Sequence, residues 1–147
     1  LNNNNIWQFQ VLLSRRLFRW AVFSMVAGIL MRFAGKFWRG MGNQFLMWGT
    51  INALISVFGR SAAEGRNDKY ENPGTPEVLA KETRNLRTLL LVNAGLDVLY
   101  ILFGRWLASR DKGEGLRKGN GWGVIIQGAF LLVFDILHAA KMPDNKE

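Results

Sequence analysis

The chain has 147 residues, no cysteine, a single histidine and a formal net charge of +8. Disulfides, thiolate metal sites and cysteine nucleophiles are excluded, as is a bis-histidine haem within one chain. The charge alone would suit nucleic acid, but no recognition-module motif accompanies it, and no nucleic-acid partner is expected.

Mean hydropathy is near neutral, at +0.03. That average hides a segregation: apolar residues gather into four blocks, at 17–34, 44–58, 89–108 and 122–140, with most charges between them. A soluble domain more often interleaves the two at helical or strand period. Nineteen or twenty residues of helix rise roughly 28–30 Å, the thickness of a bilayer's hydrocarbon core. The pattern predicts an all-α, polytopic integral membrane four-helix bundle, one transmembrane domain over residues 1–147. Its helices are expected at about 17–34, 44–63, 76–110 and 121–140, with an extramembrane connection at about 64–85.

In chain order, residues 1–5 are an asparagine-rich polar tail, read as a flexible end or a linker scar. Residues 6–18 are apolar and aromatic but show no clean amphipathic face. The first block follows Arg15 and Arg16 as the core of a signal peptide would. No small-x-small cleavage pattern follows it, so it reads as a retained helix. Arg19 and Arg32 near its ends suit snorkelling to headgroups. For Arg19 the sharper alternative is a pair with a carboxylate on another helix. Ser24 and Gly28 form a small-xxx-small pair that permits close helix contact.

The second block is too short to cross untilted unless it continues to Ala63 with Arg60 snorkelling; a re-entrant segment is the alternative. In the connection, Thr75, Pro76 and Glu77 read as N-cap, first helical residue and first-turn acid. Glu77 and Lys81 follow in the favourable i,i+4 order. The third helix is therefore expected to protrude from the bilayer at its N-terminal end. The glycine-rich string GEGLRKGNGWG lacks the GxxxxGK[ST] order of a phosphate loop and reads as a solvated connection.

Two stretches resemble each other, GILMRFAGKFWRGMGNQFLMWGTINALISVF and YILFGRWLASRDKGEGLRKGNGWGVIIQGAFLLVF. Each has an aliphatic helix end, a basic loop, Gly-Asn, Trp-Gly, a mid-helix amide (Asn52 or Gln127) and Val-Phe. They suggest a tandem repeat of two helical hairpins about an axis along the membrane normal.

Helical spacing puts Asn93, Asp97, Tyr100 and Gly104 on one face of the third helix, and Gln127, Leu131, Asp135 and His138 on one face of the fourth. Trp48, Asn52 and Ser56 share a face of the second. Hydrocarbon satisfies none of these polar groups, so the stripes should turn inward and meet. Interhelical hydrogen bonding is the plainer role for the amides and hydroxyls. An ionised Asp97 at mid-span instead demands a cation or a proton. Asp135, His138 and Asp97 could be weighed as metal ligands, but the chain lacks a second histidine and a transmembrane glutamate, so no metal site is expected. No motif names a cofactor, and no catalytic dyad or nucleophile elbow is present.

Two functions follow. In the first, the interior binds a proton, cation or small polar ligand through Asp97, Asn93, Tyr100, Asn52, Gln127, Asp135 and His138. In the second, the protein is a non-catalytic accessory or scaffold subunit of a larger membrane complex. The bilayer is the expected partner in both, with other membrane subunits or a second copy beside it. The connection and the two ends carry eleven of the nineteen Lys and Arg residues, which favours cytoplasmic termini.

Overall fold

The computed structural model describes residues 5–143, so the asparagine tail at 1–4 lies outside the described residues. Within them the chain is all-α, with four helices and no strand: α1 (Ile6–Met31), α2 (Lys36–Lys69), α3 (Pro76–Ser109) and α4 (Leu116–Ala140). Two of these, α3 and α4, are long and apolar enough to cross a membrane by length and composition.

The helices run further than the apolar blocks that announce them. α1 begins at Ile6, where the Asn5 side chain accepts from the Trp7 amide and caps the first turn. Its inward stripe is Gln10, Ser14, Leu17, Ala21, Ser24 and Gly28, mixed in polarity and therefore invisible as an amphipathic pattern. α2 passes through the charged stretch expected to be connection and ends at Lys69. An Arg60–Glu64 pair along the helix and an Arg66–Glu82 bridge to α3 hold that extension. α3 starts at Thr75 and Pro76 as read, with Glu77 in the first turn, although the Thr75 side chain makes no capping bond. Only residues 70–75 then separate α2 from α3. Both helices have 34 residues, which at 1.5 Å per residue is about 51 Å.

The α3–α4 hairpin is closed by Asp111. Its carboxylate accepts from the backbone N–H groups of Lys118 (2.8 Å), Gly113 (2.9 Å), Glu114 (3.1 Å) and Gly115 (3.4 Å). These donors, Lys118 foremost, hold the carboxyl below its ordinary range.

Each helix packs on its hairpin partner, α1 on α2 and α3 on α4, and the two hairpins meet mainly through α2 and α4. Glycines set these crossings, because backbones touch where a Cβ would stand. A Cβ on Gly28 would meet the Gly42 carbonyl, and one on Gly104 would meet the Gly121 carbonyl. Between the hairpins, a Cβ on Gly40 would overlap the Leu116 carbonyl and approach the Asn120 nitrogen. One on Gly119 would overlap the Phe37 carbonyl and approach the Met41 nitrogen. The same contact is thus made twice, with the hairpins exchanged. These glycine crossings sit at one end of the bundle, beside the hairpin loops; the α2–α3 connection marks the other end.

Candidate functional site

The polar stripes on α2, α3 and α4 converge between these two ends. α3 approaches α4 so closely that a Cβ on Gly128 would lie 3.2 Å from the Asp97 carbonyl oxygen. That approach brings the side chains of Asp97 and Asp135 within hydrogen-bonding reach of one another. Two ionised carboxylates have no donor to offer one another, so a shared proton would be needed to turn this proximity into a bond.

Beside the acids lies a cavity of about 170 Å³ walled by Trp48, Asn52, Asn93, Asp97, Tyr100 and Asp135, with aliphatic side chains between them. Asn52 is 2% exposed and Asp97 3%. Trp48 Nε1, Asn52 Nδ2 and Asp97 Oδ2 are all buried without a hydrogen-bond partner. Trp48 and Tyr100 meet edge to face at 4.9 Å. Unpaired buried donors and acceptors each cost about 1–3 kcal/mol, and here two donors and an acceptor border one space.

Among the described residues no basic side chain pairs with these acids. Among the described residues the ion pairs are Arg60–Glu64 and Arg66–Glu82. Arg19 and Arg105 are exposed on α1 and α3, so the Arg19–carboxylate pair weighed from sequence does not form.

Five of the seven residues singled out from sequence, Asn52, Asn93, Asp97, Tyr100 and Asp135, share this cavity. Gln127 and His138 lie elsewhere. Gln127 is fully buried, its Nε2 donating to Ser24 Oγ (3.1 Å) and its Oε1 accepting from Trp20 Nε1 (3.0 Å). His138 Nδ1 donates to the Phe134 carbonyl (2.6 Å), and its Nε2 accepts from Arg16 (3.1 Å). Both ring nitrogens are engaged in these contacts. Trp48 is the site residue that sequence missed. Its signal was the four-residue spacing that puts it on one face with Asn52.

Residues 16–136 match the family of unknown function DUF6992. The chain belongs to that family. The DUF6992 match spans both hairpins and takes in every residue of the cavity. No curated protein and no solved structure matches the chain.

Proposed function

We propose that this DUF6992 chain is a four-span integral membrane protein, a tandem repeat of two helical hairpins, with an interior polar site for a proton, cation or small polar ligand. The spanning reading rests on an inverted surface. Large apolar side chains point outward on all four helices, among them Phe58 at 67% and Leu30 at 66% exposed, while Gln127, Asn52 and Asp97 point inward. Water disfavours such a surface, and hydrocarbon accepts it. The repeat rests on the exchanged glycine contacts of Gly40 and Gly119. In that register Trp48 corresponds to Gln127 and Asn52 to Leu131, so the two mid-helix amides do not correspond.

The observation that carries the function is the set of unpaired atoms around the cavity. A bare cation would satisfy Asp97 but not the N–H groups of Trp48 and Asn52. Water satisfies all three, since its oxygen accepts and its hydrogens donate, and the cavity has room for on the order of five molecules. A hydrated site with two carboxyls in contact suits a proton or a small cation carried with its water. Termini on the cytoplasmic side complete the reading.

The test is the purified full chain in liposomes, followed by infrared spectroscopy of its protonated carboxyls and by proton and cation flux. A carboxyl band removed by Asp97→Asn, with flux or cation binding lost in the same variant, is the expected result. An unchanged band and no flux or binding in wild type would leave a non-catalytic subunit of a larger membrane complex.

A further inference from the structure

A second opening adjoins the cavity. A groove of about 620 Å³ runs between α1, α2 and α3 toward the connection end, and it shares Leu17, Ile51, Ile55, Asn93 and Asp135 with the cavity wall. It exists because α1 and α3 barely touch, so the hairpins part on this side while α2 and α4 stay together. The groove spans Leu86 to Asn93 on α3, roughly 10 Å of helix, and ends at Gln10 and Arg66.

Its walls are mostly aliphatic, with Leu54, Phe58 and Leu89 forming an outward-facing rim, and they carry polar rungs in order: Arg66 and Gln10 at the mouth, Ser14 and Ser56 below them, then Asn93 and Asp135. Ser14, Ser56 and Gln10 are buried. Arg66 at the mouth donates to Glu82 (3.2 Å) and to Gln10 (3.3 Å), so its charge is answered locally. Arg15 and Arg60 border a separate shallow recess against Ser14 and Ser56, with Arg60 held by Glu64. Asp135 is thus the groove's unanswered charge. Beyond the acids the way narrows. The Trp48 and Tyr100 rings meet there, followed by the Gly49 and Gly128 contacts and then by Gly28, Gly104, Gly40 and Gly119 backbone to backbone.

We propose that this groove is a one-sided access path by which a small hydrated cation, a proton on water or a primary ammonium, reaches Asp135 and Asp97 from the connection end. The path rests on the acid-site reading above and adds its direction and its charge selectivity.

The chain contains no cysteine, so a single introduced thiol reports its own position. Ser14→Cys, Ser56→Cys and Ser24→Cys are near-isosteric; the first two line the path and the third lies in the sealed Gln127 contact. Each is reconstituted as the full chain and treated with impermeant methanethiosulfonates, one carrying trimethylammonium and one carrying sulfonate. Exposed Lys69→Cys marks the connection side. Ser14→Cys and Ser56→Cys should react from the side that labels Lys69→Cys, with the cationic-to-sulfonate rate ratio at Ser56→Cys about tenfold above the ratio at Lys69→Cys. Replacing both acids, Asp97→Asn with Asp135→Asn, should erase that preference, and Ser24→Cys should stay unlabelled from both sides.

Ser14→Cys and Ser56→Cys unreactive beside a labelled Lys69→Cys, with the carboxyl band intact, would overturn the path and leave the acid site standing. Labelling from the hairpin side would overturn the sidedness. Labelling without charge preference, together with a missing carboxyl band, would overturn the acid-site reading itself.

Discussion

Two polar clusters lie in the same interior and are built to opposite ends. Around Gln127, both amide atoms are bonded, to Ser24 and to Trp20, and the side chain is fully buried. Around Asp97, the Trp48 and Asn52 donors and one carboxyl oxygen face a cavity with no partner. In the register of the proposed repeat, the Gln127–Ser24 contact corresponds to the Trp48–Tyr100 contact. An amide that completes its bonds acts as helix-to-helix glue. In the equivalent place an indole makes only a ring contact, and its N–H is left without a partner. Polarity and burial are shared; saturation separates a seam from a site.

Replacing each amide with leucine is the sharpest way to break that contrast. Gln127→Leu strands the Trp20 N–H and Ser24 and should destabilise the bundle by about 3 kcal/mol, measured by thermal unfolding in detergent, without altering flux in the protein that survives. Asn52→Leu removes a donor that has no partner, so it should be neutral or slightly stabilising while impairing the site. Equal losses from both would erase the distinction between the clusters.

The glycine crossings hold both clusters in register. Gly119→Ala places a Cβ on the Phe37 carbonyl and should cost about 1–3 kcal/mol. Gly65→Ala, on the C-terminal extension of α2 and in open space, should raise helix stability by up to about 1 kcal/mol. Comparable melting shifts of the same sign would mean that the crossings are not backbone contacts.

Asp97→Asn keeps the shape of the side chain and strands no basic partner. Its stability change should stay within about 1 kcal/mol, against the larger loss that breaking a buried ion pair brings. A large melting decrease would reveal a cation partner and turn the Asp97 cluster into a second seam.

The smallest effect lies outside both clusters, at Asp111. Its carboxyl is held below its ordinary value of 3.8, so the stability it contributes is present above that value and is lost as pH falls through the lower folded value. Acid titration of melting should show wild type losing this increment and Asp111→Asn lacking it. A pH-independent difference between the two would place the loss in shape rather than charge.

Much of this was legible in the chain. Segregated apolar blocks give four helices, and three- and four-residue spacings set Asp97, Asn93 and Tyr100 on one face and Asp135 on another. Helix limits were less legible, because charge reads as connection, whereas Arg60–Glu64 and Arg66–Glu82 keep residues 64–69 helical. The inward stripe of α1 was also hidden, since Gln10, Ser14 and Ser24 have no hydrophobic period to announce them.

Sequence by itself thus determined an all-α chain with acids among apolar helices, because chain-local spacing fixes which residues share a face. Tertiary structure alone decided which faces meet, and so which polar groups are saturated. That choice lies with glycine backbones at Gly40, Gly104, Gly119 and Gly128, whose close approaches depend on the partner helix and leave no periodic mark. It sent Gln127 to Ser24 and His138 to Arg16, and left Trp48 and Asn52 facing the cavity beside Asp97.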